Sequence, residues 1–257
     1  MKKEKDQIVF GIHAVLEAMD AGRELEKVLI KSTRGGSDGF TELRNRLIAE
    51  KIPFQHVPVE KLNSITMKNH QGVIAYVSEI AYSEIEFILP QVYEQGRTPF
   101  LLVLDQVSDV RNFGAIARTA ECAGVDAIIV PYKGSARITA EAIKTSAGAL
   151  HKIPVCRHPD LRLLLSYLKS SGLRIIAASE KAEKSVYQAD LTLPLAIIMG
   201  SEDQGVSAQL YEYVDRPVSI PQFGTIASLN VSVAAGILMY EAVRQRQNLS
   251  IQGGSDD

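Results

Sequence analysis

The sequence predicts an α/β protein in which buried parallel strands alternate with helices, and three observations favour that fold class. Of its 257 residues, 46% are apolar and 23% are charged, which supplies a core and excludes a disordered or collagen-like chain. Short, fully apolar runs such as 100–104 and 195–199 are typical of strands covered on both faces. Segments with apolar residues at helical spacing separate these runs, as in a sheet with helices on both sides.

The predicted elements follow one another along the whole chain. In the first third, strands are predicted at 26–31, 53–57 and 73–77, with helices at 12–19 and 38–50. Later strands are predicted at 100–105, 126–130, 152–156, 173–179, 195–199 and 217–221. Later helices are predicted from 112, from 139, at 160–170 and at about 229–247.

A domain boundary is expected between about Tyr82 and Thr98. This segment has Pro90 near its middle, and Gly96 ends the short helix that it predicts. This helix belongs either to a linker or to the start of the second domain. The predicted division is a domain at 1–82, a linker at 83–97 and a domain at 98–257.

The net charge of −2 does not suggest a nucleic-acid-binding protein, but the charge is unevenly distributed. Between residues 111 and 158, seven lysines and arginines accompany three acids, so this window is basic by four charges. Such a window is typical of a surface that binds a phosphate backbone. It is equally typical of solvated helix faces whose acidic partners come from elsewhere in the sequence.

Several classes of protein are excluded by features that the sequence lacks. The apolar runs are far too short to cross a bilayer, and no apolar signal segment follows the charged N-terminus. The two cysteines, Cys122 and Cys156, have no CxxC spacing, and the five histidines show no metal-ligand spacing. We therefore expect a cytoplasmic protein without a membrane span, a metal site or a disulfide scaffold.

Ligands of parallel sheets collect at the carboxyl ends of the strands. The places to examine are therefore the loops after Asp105, Ser179, Met199 and Pro221. In the first of them, Asn112 is predicted to be the N-cap of a helix that carries Arg118 less than two turns later. The alternative for this loop is a capped helix with a solvated arginine.

Two further loops have unusual compositions. Residues 199–205 place two glycines around a polar turn, so that the backbone can approach a ligand closely. This loop has two acids and no basic residue, which suits a cationic or zwitterionic ligand better than a phosphate. Residues 220–232 place Ser228, Asn230 and Ser232 at the start of a very apolar helix. The alternative for Ser228 is a capping role.

Together these loops resemble the three signature motifs of the SpoU/TrmH family of RNA 2′-O-ribose methyltransferases, within the SPOUT superfamily. The first motif, N-x-G-x-x-x-R, is matched by Asn112, Gly114 and Arg118. The others are matched by M-G-S-E-x-x-G at 199–205, I-P-x-x-G at 220–224 and S-L-N-V-S-V-A-A-G at 228–236, and the resemblance covers about 98–248. Two positions depart from the family pattern: Val110 where proline is common, and Gln222 where methionine is common.

The N-terminal part resembles the RNA-binding domain of one subgroup, at residues 10–18 and 70–75. That domain is similar to the ribosomal protein L30e fold, and the subgroup methylates a guanosine in the peptidyl-transferase region of 23S ribosomal RNA. The resemblance therefore implies ribosomal RNA as the substrate. The alternatives are a 2′-O-methyltransferase acting on transfer RNA and a non-catalytic RNA-binding or ribosome-assembly protein.

The resemblance also implies a trefoil knot in the C-terminal segment, S-adenosylmethionine as cofactor and a homodimer formed through the knot region. The resemblance implies that Arg118 is the catalytic arginine, for which a role as the base is one interpretation. Because a neutral guanidine is very costly at neutral pH, we favour a charged donor that stabilises the reacting 2′-oxygen. The helix at 229–247 is apolar on nearly every face, which indicates a subunit interface or burial within one monomer. The residues implied to orient Arg118 and the ribose are Asn112, Glu202, Ser228 and Asn230. Those implied to bind the cofactor are Ser179, Gly200, Ser201, Glu202, Ile220, Pro221 and Leu229.

Overall fold

The computed structural model describes residues 7–32, 38–226 and 228–252, and the chain divides into two compact units. The first unit comprises residues 1–81 together with 137–140, and the second comprises 82–136 and 141–257. Among the described residues, no helix is long and apolar enough to cross a membrane.

The first unit is built on a mixed four-stranded sheet in the order β1-β4-β2-β3. Strands β2 and β3 are parallel, whereas β4 runs antiparallel to both of its neighbours. Helices α1 and α2 contribute to one apolar core, and α3 contributes to a second. The elements are β1 (Ile8–Phe10), α1 (Ile12–Asp20), β2 (Leu25–Lys31), α2 (Asp38–Ala49), β3 (Phe54–Val57), α3 (Val59–Ile65) and β4 (Val73–Val77). The sequence patterns did not predict β1 and α3, which are short.

The second unit is built on a six-stranded sheet in the order β10-β8-β9-β5-β6-β7, and every pair of neighbours is parallel. This confirms the predicted parallel α/β fold. The strands are β5 (Phe100–Leu104), β6 (Ala127–Pro131), β7 (Val155–His158), β8 (Arg174–Ala178), β9 (Leu195–Met199) and β10 (Arg216–Val218). The helices are α4 (Ile85–Glu94), α5 (Val110–Cys122), α6 (Ala140–Thr145), α7 (Leu161–Ser170) and α8 (Val231–Gln252), with short 3-10 turns at 149–151, 186–188 and 208–213.

Helices cover this sheet as the apolar strands require. α4 and one face of α7 contribute to one large apolar core together with residues of the central strands, whereas Leu163 of α7 is exposed. α5 packs against α8, which also contacts β9. Because parallel strands align their carboxyl ends, the loops after β5, β8, β9 and β10 all begin at one edge of the sheet.

The segment that follows Tyr82 belongs to the second unit. Ser83 forms an isolated parallel bridge with Cys156 of β7, and α4 buries Ile85 and Leu89 in the core of that unit. The helix α4 therefore packs within the second unit.

Candidate active site

A cavity of about 850 Å³ opens at the carboxyl edge of the parallel sheet. Its walls come from the loops after β8, β9 and β10 and from the start of α8. Three of the four strand ends singled out in the sequence therefore meet at one cavity. Of the predicted site residues, those that line it are Ser179, Gly200, Ser201, Glu202, Ile220, Ser228 and Leu229.

Four predicted site residues do not line the cavity: Pro221, Arg118, Asn112 and Asn230. The cavity also has lining residues that sequence reasoning missed, among them Glu180, Lys181, Ser207 and Tyr211. Glu180 and Lys181 directly follow the predicted end of β8, so the strand-end rule could have found them. No sequence signal indicates Tyr211, which the 3-10 turn at 208–213 brings to the cavity.

Gly200, in the second motif, lies where two parts of the chain come very close together. It is buried directly after β9, and a β-carbon added there would overlap the backbone of Gly205 and Val206. The turn folds back on itself through two backbone hydrogen bonds between Ser201 and Gly205, at 3.1 and 2.9 Å. Only glycine allows this approach of the chain, which shapes the cavity wall.

Beside the cavity, side chains from all three motifs form one hydrogen-bonded cluster, which we call the amide–carboxylate cluster: Asn112, Glu202 and Asn230. The amide nitrogen of Asn112 donates to Oε1 of Glu202 at 2.6 Å. The amide nitrogen of Asn230 donates to the same Oε1 at 3.1 Å and to Oδ1 of Asn112 at 3.1 Å. Each of these three predicted residues therefore fixes the other two.

The predicted N-cap role of Asn112 is wrong. α5 begins at Val110, and the cap is Asp109, whose carboxylate accepts hydrogen bonds from the backbone N–H groups of Arg111 and Asn112. Aspartate is an equally strong cap, and its use here leaves the Asn112 side chain free to join Glu202.

Two polar residues of the third motif, Ser228 and Asn230, directly precede α8 and have different local roles. Oδ1 of Asn230 accepts a hydrogen bond from the backbone N–H of Ser232 at 2.9 Å, which is the contact of a capping residue. The alternative capping role of Ser228 is therefore filled by Asn230. Ser228 instead lines the cavity.

Arg118 lies on the exposed face of α5 and makes no hydrogen bond or ion pair with another described residue. It is six residues from Asn112, which corresponds to a rise of about 9 Å and a rotation of about 240° around the helix. The structure thus does not bring Arg118 into the amide–carboxylate cluster. It leaves the guanidinium unengaged at the surface of the helix that carries the first motif.

The basic window is partly neutralised by its own acids. Arg111 pairs with Glu141 at 2.9 Å, and Lys152 lies 3.7 Å from Glu121. At the cavity, by contrast, acids predominate: Glu180, Glu202 and Asp203 accompany a single base, Lys181. This lining fits a ligand that carries positive charge and does not fit a phosphate group.

The described residues contain no group of three or more potential metal ligands. Burial raises the pKa of the Cys156 thiol to about 12, so it stays protonated and unreactive at neutral pH.

Comparison with known proteins defines the class of this fold and site. The profile described as "RNA 2′-O ribose methyltransferase substrate binding" matches residues 8–83, and that of the "SpoU rRNA Methylase family" matches residues 99–240. The class is thus an RNA methyltransferase with an attached substrate-binding domain. The chain belongs to the SpoU family, whose members use S-adenosylmethionine, and it is accordingly an S-adenosylmethionine-dependent RNA methyltransferase.

Several relatives match nearly the whole chain. The "23S rRNA (guanosine-2′-O-)-methyltransferase RlmB" of Yersinia pestis is 38% identical over 245 residues, which cover 93% of this chain and 98% of the relative. A "putative TrmH family tRNA/rRNA methyltransferase" of Staphylococcus saprophyticus is 36% identical over 93% of this chain and 96% of the relative.

Among solved structures, the SpoU methyltransferase AviRb from Streptomyces viridochromogenes, in complex with AdoMet, superposes with a TM-score of 0.60 at 24% identity. The superposition covers 95% of this chain and 92% of AviRb, and at this identity it shows the shared fold. The TrmH/SpoU tRNA modifying enzyme of A. aeolicus has a TM-score of 0.55 at 29% identity, covering 65% of this chain and 86% of that one.

Proposed function

We propose that this enzyme transfers the methyl group of S-adenosylmethionine to the ribose 2′-hydroxyl of a guanosine in 23S ribosomal RNA, in the cytoplasm. The substrate rests on one observation, the 38% identity to an RlmB enzyme over 93% of this chain. Transfer RNA is the second candidate, because the relative at 36% identity is named for both tRNA and rRNA. A non-catalytic role is disfavoured because the cavity and the amide–carboxylate cluster are intact.

A map of 2′-O-methyl groups distinguishes these candidates. Total RNA from a strain that lacks the gene should lose one methylated guanosine in 23S ribosomal RNA relative to its parent, and the purified enzyme should restore it. Loss of a methyl group from transfer RNA instead would assign the second candidate. An unchanged map of both RNAs would rule out both proposed substrates.

We place the cofactor in the cavity at the carboxyl edge of the parallel sheet. A volume of about 850 Å³ is within the usual range for a small-molecule site, and the Gly200 turn lets the backbone approach the ligand. Leu229 and Ile220 offer apolar contact to an adenine ring, whereas Glu202 lies on the polar side. When bound, S-adenosylmethionine supplies a methyl group activated by a positively charged sulfonium.

The acids around the cavity should distinguish the cofactor from its product. S-adenosylmethionine carries one more positive charge than its product, S-adenosylhomocysteine. The double variant Glu180→Gln, Asp203→Asn should therefore weaken the binding of S-adenosylmethionine and leave the binding of S-adenosylhomocysteine unchanged. Because both side chains are exposed, we expect about a two- to fivefold loss of affinity, the scale of surface charge interactions. Calorimetry with both compounds measures the effect, and Glu60→Gln on α3 of the first unit is the control. Equal losses for both compounds would contradict the charge argument.

The chain's own groups then act on the ribose. A 2′-hydroxyl becomes a strong nucleophile only as its proton leaves, and the negative charge that develops on oxygen needs a donor. We assign this role to Arg118, whose positively charged guanidinium carries a planar set of N–H donors. The amide–carboxylate cluster holds the first, second and third motifs in one arrangement, and it thereby fixes α5, the helix that carries Arg118, relative to the other two motifs.

We also propose a homodimer formed through the C-terminal segment, with the chain threaded there as a trefoil knot. The knot is supported by the path of the chain. β10 is the outermost strand on one side of the sheet, whereas α8, which follows it in sequence, returns to contact the central strand β9 and the helix α5. The dimer is supported by apolar exposure: Val233 and Tyr240, one face of α8, are 51% and 50% exposed. Phe223 and Ile226, in the preceding loop, are 98% and 78% exposed.

Charge on this face of α8 should separate the subunits. Val233→Glu combined with Tyr240→Glu places two carboxylates in the proposed interface, and their desolvation opposes association. We expect a shift from dimer to monomer in light scattering at micromolar protein concentration. Ile48→Glu on α2, where the native side chain is 56% exposed, is a matched control that should remain dimeric. A double variant that stays dimeric would place the interface elsewhere.

We assign recognition of the RNA to the first domain, residues 1–82, as the matching substrate-binding profile supports. Its surface carries cationic side chains over aromatic rings, with Lys31 Nζ 5.3 Å from the ring centre of Phe40 and Lys68 Nζ 5.9 Å from that of Phe10. Basic and aromatic groups side by side suit the phosphates and bases of RNA.

A further inference from the structure

Gln106 has an unusual backbone conformation directly after β5. Among the described residues, four residues other than glycine have a positive φ angle, and Gln106, at 60°, is one of them. Two others, Lys51 and Ala147, follow helices, where such angles commonly end the helix. Gln106 follows a strand and has no capping reason for this conformation. Strain of this kind persists only where the surrounding structure imposes it, and it concentrates at functional sites.

The side chain of Gln106 reaches the wall of the cofactor cavity. Its Nε2 donates a hydrogen bond to Oγ of Ser207 at 2.9 Å, and Ser207 lines the cavity. The preceding residue, Asp105, is 4% exposed and accepts a hydrogen bond from the backbone N–H of the same serine at 2.7 Å. Two successive residues therefore hold Ser207 at two different atoms. Asp105 is itself fixed, because its backbone N–H donates to the carbonyl of Met199 at 2.8 Å.

Gly134 lies beside the side chain of Gln106. A β-carbon added to this glycine would lie 3.3 Å from Cγ of Gln106, which is tighter than ordinary contact. Gln106 is otherwise exposed, so it is the hydrogen bond to Ser207 that holds its side-chain amide in place.

We propose that Gln106 is a positioning residue for the cofactor: it holds Ser207, and with it the loop from Gly200, in the shape that binds S-adenosylmethionine. The inference rests on the proposed placement of the cofactor in this cavity. It assigns Gln106 no contact with the substrate and no part in the chemical step.

Substitutions at Gln106 should separate positioning from folding. Gln106→Gly removes the amide and also relieves the positive φ angle, so the melting temperature should stay the same or rise. The affinity for S-adenosylmethionine should nevertheless fall about three- to tenfold, the scale of one lost hydrogen bond. The KM for RNA and the rate at saturating cofactor should not change. Gln71→Gly, at the other glutamine with a positive φ angle, should leave cofactor affinity at the wild-type level.

A double variant tests whether Gln106 affects cofactor binding through Ser207. If Gln106 acts through Ser207, then Gln106→Gly combined with Ser207→Ala should bind the cofactor no more weakly than Ser207→Ala alone. Full affinity in Gln106→Gly, or additive losses in the double variant, would overturn the inference. A wild-type protein that bound no S-adenosylmethionine would overturn the cofactor site as well, so calorimetry on the wild type distinguishes the two failures.

Discussion

Gly200→Ala should abolish useful binding of S-adenosylmethionine while leaving the protein folded. The added methyl group would overlap the backbone of Gly205 and Val206, and backbone atoms cannot rotate away as a flexible side chain can. The turn from Ser201 to Gly205 must open, which breaks its two backbone hydrogen bonds and distorts the cavity wall. Overpacking of this kind costs about 1–3 kcal/mol. Because the cofactor needs the closed turn, binding must overcome this cost, and at the upper end the affinity should fall about 100-fold.

Calorimetry measures the loss, and circular dichroism checks the fold. Gly39→Ala on α2 is a suitable control, because its added methyl group would meet only the Ile12 side chain, at 3.3 Å. This control should retain wild-type affinity for the cofactor. If Gly200→Ala bound S-adenosylmethionine normally, the cavity would not be the cofactor site.

The parallel sheet was predictable because its strands are unusually apolar. Runs such as Phe100–Leu104 and Leu195–Met199 are buried along their whole length, so they carry a signal that short edge strands lack. β1, with three residues of intermediate burial, carries no such signal. β1 forms because it pairs with β4, which is more than 60 residues away in sequence. A pattern within a short stretch of sequence cannot show such a pairing.

The sequence predicted many of the residues of the candidate site but not the contacts between them. The strand-end rule selected the loops that line the cavity, and the resemblance selected Asn112, Glu202 and Asn230. The residue that caps α5 depends on where the helix begins. Asp109 and Asn112, three residues apart, are both good caps, and the helix begins early enough to use the first. Gln106 gave no signal at all, because a positive φ angle is expected of glycine or asparagine rather than glutamine.

The structure shows where the two departures from the family pattern, Val110 and Gln222, lie. Val110 is the first residue of α5, where proline is favoured because the N–H group of that position has no helical partner. Valine keeps the helix start, since Asp109 still provides the cap. Gln222 lines the cavity in a fully exposed stretch of loop. Neither substitution removes a member of the amide–carboxylate cluster.

Arg118→Ala should reduce turnover by roughly 100-fold or more, the scale of losing a donor to a developing oxyanion. Arg118→Lys keeps the positive charge but loses the planar set of donors, so its turnover should also fall. Cofactor affinity should hardly change in either variant, because Arg118 does not line the cavity. Protein stability should also be unaffected, because the exposed guanidinium makes no hydrogen bond or ion pair with another described residue. Single-turnover methylation of ribosomal RNA separates the chemical step from binding.

Arg111→Ala is the matched control, since Arg111 lies on the same exposed face of α5, seven residues earlier, and pairs with Glu141 at the surface. It should keep nearly the wild-type rate. The dependence of the rate on pH then tests the role of Arg118 in the wild type. A permanently charged donor predicts no change in rate with pH that can be assigned to this side chain. An arginine that acts as the base predicts a rate that keeps rising towards high pH, with the rise lost or shifted in Arg118→Lys. Wild-type turnover in Arg118→Ala would remove the residue from the reaction altogether.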